Sequence, residues 1–341
     1  MGKHDLSGAG NVNDGLYLLE QAAGYAFPAA LRVAAELDIA HCLAQGAKTA
    51  EELGAVLGID PGQLRRILRL LATRDIFRET ADRQFVLTPA AEFLRSDYPN
   101  SLRPAVLMLT DKTLWDPSGR LTECARGIPV FKNLFGMPFF EYWQQPHRPA
   151  EDFHAGLYSM SEVENALLIR HYAFPAHSTV VDVAGGFGGM LLRIMQTHPT
   201  VRGILFDQRH VLQRHRLDEL QDTSRWQLVE GDFFQSCPRG DIYLLKHTLH
   251  DWDDEHAMRI LENCRKAMAP DGKVLIIDSV IPEGNMPHFS KIMDLLVMSC
   301  LEGARERTVE ELEHLLAGAG LRLNQVIDTG FYMPIVEAMV I

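Results

Sequence analysis

The sequence predicts a doubly wound α/β fold preceded by a smaller, mostly helical domain. Seven short apolar runs after residue 176 alternate with helical patterns, and the first of them leads into a glycine-rich turn. Before residue 100, two capped helices are followed by a hairpin pattern. A length of 341 residues fits two domains or a little more, and 47% hydrophobic with 23% charged residues supplies cores of ordinary size.

The seven runs are Thr179–Val183, Gly203–Phe206, Trp226–Val229, Ile242–Leu245, Val274–Asp278, Arg322–Val326 and Pro334–Met339. Near-continuous apolar strands separated by helices imply a parallel sheet covered on both faces. One intervening helix, expected over Asp254–Met268, aligns Ala257, Ile260, Leu261, Cys264 and Met268 on one face. Ligands on such sheets bind at the carboxyl ends of the strands.

In the N-terminal part, Thr49-Ala50-Glu51-Glu52 is a capping box, and Asp60-Pro61 opens a second helix with an N-cap and a proline in the first turn. Leu64, Ile67, Leu68 and Leu71 form its buried stripe, while Arg65, Arg66 and Arg69 face elsewhere. Ile76-Phe77 and Gln84–Leu87 flank a polar turn and read as a small hairpin, giving a winged helix-turn-helix pattern. Between these parts lies a helical, aromatic-rich stretch with Trp115, Phe131, Phe135, Phe139, Phe140, Tyr142, Trp143, Phe153 and Tyr158, expected to form a pocket wall or an oligomer seam, or simply a packed core. The expected division is therefore 1–100, 101–175 and 176–341.

Composition narrows the function. Lys plus Arg number 33 against 45 Asp plus Glu, a net charge of −12, so nucleic-acid binding requires a local basic patch. Five widely spaced cysteines without a CxxC pair argue against a disulfide framework or structural zinc and fit a reducing, cytoplasmic compartment. The opening Met1-Gly2-Lys3-His4-Asp5-Leu6 lacks a secretory or myristoylation pattern, and no apolar run reaches membrane-spanning length.

The stretch Asp182-Val183-Ala184-Gly185-Gly186-Phe187-Gly188-Gly189 is the most informative. A dinucleotide fingerprint needs glycines at n, n+2 and n+5; Gly186 and Gly188 supply two, but Leu191 occupies the third place. Asp182 at the strand end disfavours a pyrophosphate and suits a cation, such as the ammonium and sulfonium of S-adenosylmethionine. Asp207 ends the second run, where a carboxylate can accept both ribose hydroxyls. Asp232 and Phe233 follow the third, where an acid can accept from an adenine amino group and a ring can cover its face. After the fourth run, His247 and His250 lie on the same sheet edge. A histidine there, with an ordinary pKa near 6.5, suits general-base work. As a metal pair the two lack further ligands nearby in sequence, and of the two His247 better fits a buried structural histidine. Asp278 and Glu306 are the acids available to orient such an imidazole.

At these residues the sequence resembles the S-adenosylmethionine-dependent small-molecule O-methyltransferases: the plant caffeate and flavonoid type, acetylserotonin methyltransferase and bacterial natural-product relatives. The resemblance covers nearly the whole chain. Its more specific signatures are Leu249-His250-Asp251-Trp252 and Arg305-Glu306-Arg307-Thr308, with Gly127–Phe131 and Phe135–Phe140 similar to the family's middle region. It implies a Rossmann-like seven-stranded methyltransferase sheet and an N-terminal winged-helix dimerisation domain forming a homodimer. It further implies S-adenosylmethionine as cofactor, S-adenosylhomocysteine as product and a small aromatic hydroxyl as acceptor, with no metal, nucleic acid or membrane. Carried over by position, Asp182, Gly185, Gly186 and Gly188 shape the cofactor loop. Asp207 holds the ribose, Asp232 and Phe233 the adenine, and Lys246 lies along the cofactor. His250 is the base, flanked by Asp278 and Glu306. Phe139, Phe140, Trp143, Asp294 and Met298 are the expected acceptor-pocket residues, in a pocket built by the middle and N-terminal regions. Two departures stand out. Ala184 replaces the usual first loop glycine, and Asp278 stands where plant members often have Glu. Two other readings are decarboxylation or hydroxylation in the same fold, and a winged-helix regulatory module with Arg65, Arg66, Arg69 and Arg74 as a basic strip.

Overall fold

The structure is a computed structural model that describes residues 12–145 and 150–341; the side chains of residues 12 and 150–152 and the chain's polar opening lie outside that description. The chain divides into two compact units, Met1–Asp111 and Lys112–Ile341.

The first unit contains helices α1 (Val12–Ala22), α2 (Ala26–Glu36), α3 (Ala50–Leu57) and α4 (Pro61–Ala72), with strands β1 (Lys48–Thr49), β2 (Phe77–Glu79) and β3 (Gln84–Leu87). Both expected caps form. Thr49 Oγ1 accepts from Glu52 N at 3.2 Å, the Glu52 carboxylate accepts from Thr49 N at 2.7 Å, and Asp60 Oδ1 accepts from Gln63 N at 2.9 Å. Leu64, Leu68 and Leu71 are wholly buried against Leu53, Phe77 and Phe85. The hairpin is joined by β1, which pairs with β3 and was too short to show a strand pattern. Arg65 pairs with Glu79 at 2.8 Å and Arg74 lies over the Phe27 ring at 4.3 Å, so the arginine strip is partly neutralised and partly packed.

The second unit is built on a seven-stranded sheet in the order β6-β5-β4-β7-β8-β10-β9. After helix α5 (Ala150–Leu168) come β4 (Thr179–Val183), α6 (Gly189–Thr197), β5 (Arg202–Asp207), β6 (Trp226–Glu230), β7 (Gly240–Lys246), α7 (Asp254–Ala267), β8 (Met268–Ile277), α8 (Phe289–Cys300), α9 (Val309–Gly318), β9 (Leu321–Ile327) and β10 (Ile335–Val340). Period-two alternation explains its two covered faces. Val181, Val183, Tyr243 and Leu245 pack against α7 and α9, whereas Val180, Ile242 and Leu244 pack against Leu191, Ile194 and Met195 of α6.

The expected parallel sheet requires correction. β10 runs antiparallel to both β8 and β9. Only residues 328–334 join β9 to β10, and a parallel crossover needs a dozen or more residues. The face of α7 is as expected, with Ala257, Ile260, Leu261 and Cys264 wholly buried, but the helix ends at Ala267 and Met268 begins β8.

Candidate functional site

The turn after β4 is shaped by its backbone. Ala184, Gly186 and Gly188 all lie in the left-handed region, with φ of 56°, 60° and 78°. Gly185 is required for a different reason: a Cβ there would sit 2.5 Å from Asp182 Oδ2 and 2.6 Å from Leu205 Cδ1. Asp182 is therefore pressed beneath the loop at 2% exposure, and among the described residues its Oδ2 has no hydrogen-bond partner. Burial pushes its carboxyl up to about 7, against the lowering effect of Lys246. Asp207 Oδ2 accepts from Gly186 N at 2.9 Å and Oδ1 from Gln208 N at 2.7 Å, tying the end of β5 to the loop. Asp232 is exposed and turns its carboxylate onto Phe234 N at 2.8 Å. Phe233 is half-buried beside Phe234 and Trp252.

At the end of β7 the backbone turns sharply, with His247 at φ 50°. His250 follows in the short helical turn Leu249–Asp251 and is 6% exposed. It is the more buried of the two histidines, contrary to expectation, because the turn carries it beneath the loop that follows α8. Its Nδ1–H donates to Glu306 Oε1 at 2.8 Å, and its Nε2 lies 3.5 Å from Asp251 Oδ1. Burial alone would lower the imidazole's pKa; Asp251, Glu306 and Asp278 outweigh it and push it up to about 10. Burial likewise pushes Asp251 up to about 6.

Asp278 does not bond to the ring. Its two oxygens accept from Thr248 N at 3.1 Å and Leu249 N at 3.2 Å, so it shapes the turn on which His250 sits and acts on the imidazole only through its charge. The shorter Asp arm, in place of Glu, is taken up by those backbone donors. The segment Arg305–Thr308 clamps the same turn. Arg305 N donates to His250 O at 2.9 Å, and the buried Arg307 guanidinium donates to Leu249 O, Trp252 O and Asp254 Oδ1 at 2.8–2.9 Å. Thr308 caps α9 in a capping box with Glu311.

His247, His250 and Asp278, the last remote in sequence, each place one ligand-type atom within 4.8 Å of the others. All three groups are already engaged: His247 Nε2 with Glu164 at 3.0 Å, His250 with Glu306, and Asp278 with the backbone.

The expected acceptor residues separate. Phe139 and Trp143 are buried; Trp143 stacks on Phe153 at 4.4 Å, and Phe139 meets Phe153 edge-on at 5.5 Å. His154, next on α5, reaches Phe187 of the glycine loop at 5.7 Å. Phe140 is 42% exposed and turns outward. Asp294 joins the cluster around His250 and Glu306, since its Oδ1 accepts from Glu306 N at 2.9 Å; Met298 lies half-buried one turn further along α8. Sequence reasoning missed Glu164 and Tyr332. Glu164 on α5 accepts from Lys246 Nζ at 2.7 Å, from His247 and from the Tyr332 hydroxyl. These partners lie 82 to 168 residues away, so no local pattern announces them. Asp251 stood within a quoted motif without a role.

The sheet order, the glycine loop and the clamped histidine define a Rossmann-like methyltransferase. An O-methyltransferase domain model matches residues 120–322 and an O-methyltransferase dimerisation domain model matches residues 19–97. The chain is similar to the phenazine O-methyltransferase PhzM of Lysobacter antibioticus, 38% identical over 97% of each chain. Among solved structures it is similar to CalO1, a methyltransferase in calicheamicin biosynthesis bound to SAH, with 41% identity, 98% and 100% coverage and a TM-score of 0.92. It is also similar to NcsB1, an O-methyltransferase from neocarzinostatin biosynthesis in complex with S-adenosylmethionine and 2-hydroxy-5-methyl naphthoic acid, with 30% identity, 92% and 96% coverage and a TM-score of 0.72. The chain belongs to this O-methyltransferase family: it is an S-adenosylmethionine-dependent O-methyltransferase of the natural-product type, with an N-terminal dimerisation domain. Among the described residues, no helix is long and apolar enough to cross a membrane.

Proposed function

We propose that the protein methylates a hydroxyl of a small aromatic acceptor, without a metal, and that His250 holds the acceptor's proton during transfer. The orphaned, buried Oδ2 of Asp182 beneath a glycine loop fits a cationic cofactor. Gly185, Gly186 and Gly188 then allow close backbone approach, Asp207 holds the ribose, Asp232 and Phe233 hold the adenine, and Lys246 flanks the cofactor. When bound, S-adenosylmethionine supplies an electrophilic methyl for in-line transfer to the acceptor oxygen. The packed aromatic cluster of Phe139, Trp143 and Phe153, continued through His154 to Phe187 of the glycine loop, supports an apolar wall for a planar acceptor.

The observation that carries this reading is the 2.8 Å contact between His250 Nδ1 and the buried Glu306 carboxylate. With Nδ1–H given to Glu306, Nε2 is the ring's basic end. Glu306 and Asp251 stabilise the imidazolium, so the reacting state pairs an imidazolium with a phenolate. A neutral ring taking the proton of a phenol and a protonated ring meeting a phenolate both reach that state.

The test is His250→Ala. Turnover with labelled cofactor and a panel of aromatic hydroxyl compounds is expected to fall about 10²–10⁴-fold, while calorimetric cofactor affinity stays near wild type. Asp207→Ala is expected to weaken cofactor binding instead. Undiminished single-turnover rates in His250→Ala would remove the ring from the mechanism. We also infer a homodimer through the N-terminal unit, because α1 leaves Leu16, Tyr17, Leu18 and Leu19 at 58–68% exposure.

A further inference from the structure

Lys246 ends β7 with a side chain only 7% exposed. Its Nζ donates to Glu164 Oε2 at 2.7 Å and to Ser161 Oγ at 2.9 Å. Glu164 itself is 3% exposed and takes two further donors, His247 Nε2 at 3.0 Å and the Tyr332 hydroxyl. One carboxylate thus joins α5, the end of β7 and the loop before β10. On the neighbouring strand, Asp182 pairs with Leu244, two residues before Lys246. The Lys246 charge also reaches the Asp182 carboxyl and lowers its pKa.

A buried ammonium here is unfavourable for the ligand this sheet edge receives. S-adenosylmethionine carries a sulfonium, and two like charges repel strongly where water is excluded. Glu164 supplies the counter-charge. Burial alone would raise its pKa, but Lys246 and His247 hold it well below the ordinary carboxylate range, so it is ionised at neutral pH. Glu164 then offsets the Lys246 charge, and the Asp182 carboxyl beneath the glycine loop, without a hydrogen-bond partner for Oδ2 among the described residues, is left to answer the sulfonium.

We propose that Glu164 is a positioning residue that sets the cofactor site's preference for charged S-adenosylmethionine over the uncharged thioether S-adenosylhomocysteine, by neutralising and anchoring Lys246. This rests on the cofactor-binding residues proposed above. Glu164 acts through Lys246, so the informative readout is a ratio of affinities that a purely structural role would leave unmoved.

The experiment is calorimetry of the full chain with each ligand separately, for wild type, Glu164→Gln, Glu164→Asp and Lys246→Met. Glu164→Gln is expected to raise the ratio Kd(S-adenosylmethionine)/Kd(S-adenosylhomocysteine) by about tenfold or more. Glu164→Asp keeps the charge and is expected to keep the ratio within about threefold of wild type. Lys246→Met is expected to lower the ratio, because His247 and Tyr332 still hold the carboxylate. Equal weakening of both ligands in Glu164→Gln overturns the proposal. Should thermal melting show that Glu164→Gln does not fold, an unchanged or raised ratio in Lys246→Met overturns it. A wild-type chain that binds neither ligand would overturn the cofactor-site assignment itself, an outcome distinct from the others.

Discussion

His250 and Ala184 both depart from what their residue types do in isolation. An exposed imidazole loses its proton near pH 6.5, yet two carboxylates near the ring and a third acting through its charge push that value up to about 10. In the proposed mechanism the acceptor's proton resides on this ring during transfer, so the enzyme and substrate together must first lose one. The expected result is that log(kcat/KM) climbs with pH, with a slope near one, from about pH 6 to about pH 9, rather than levelling off near neutrality. Stopped assays across that range check it. Glu306→Gln removes one raising charge, so its climb should end at a lower pH and at a lower plateau. Ala184 has φ 56°, where an L-residue costs about 1 kcal/mol or more and glycine almost nothing. Against this, glycine loosens the unfolded chain by a slightly smaller amount. Ala184→Gly is therefore expected to stabilise the protein by about 0.5 kcal/mol, read as a small rise in Tm.

The element that matters most is the turn Leu249–Asp251, which has little to hold it by itself. Leu249 N and the preceding Thr248 N donate to Asp278, while Leu249 O and His250 O accept from Arg307 and Arg305. The role of Arg305–Thr308 is thus mechanical as well as electrostatic, since one backbone segment holds the turn while its Glu holds the ring at Nδ1. Arg307→Ala removes a charged donor from Leu249 O, Trp252 O and Asp254 Oδ1. It is expected to cost roughly 2–4 kcal/mol in stability and to lower kcat more than it raises KM. Denaturant titration and steady-state kinetics on the same preparation test both parts.

For the whole molecule, the main prediction concerns assembly. The apolar run on α1 is too exposed for a helix that works alone. Leu18→Asp with Leu19→Asp is expected to shift the protein from dimer to monomer in light scattering, while the first unit keeps its helical signal, because its core of Leu53, Leu64, Leu68, Phe77 and Phe85 is untouched. The antiparallel β10 belongs to this scale as well. It closes the sheet edge with β9 through a connection too short for any other topology.

What depended on near neighbours in the chain was legible from the chain. Caps at Thr49 and Asp60, the stripe Leu64-Leu68-Leu71, the run Thr179–Val183 and the glycine turn each state their geometry within a few residues, because hydrogen bonds and side-chain periodicity act over that distance. The motifs also placed His250 and Glu306 together, although only by likeness to a family. Tertiary structure alone decided the rest: that Asp278 serves the backbone, that Asp294 braces Glu306, that His250 and not His247 is the more buried histidine, and that Glu164 and Tyr332 converge on Lys246. The physical reason is that burial and Coulomb interactions depend on distance in space, and folding sets that distance between residues that are remote in sequence.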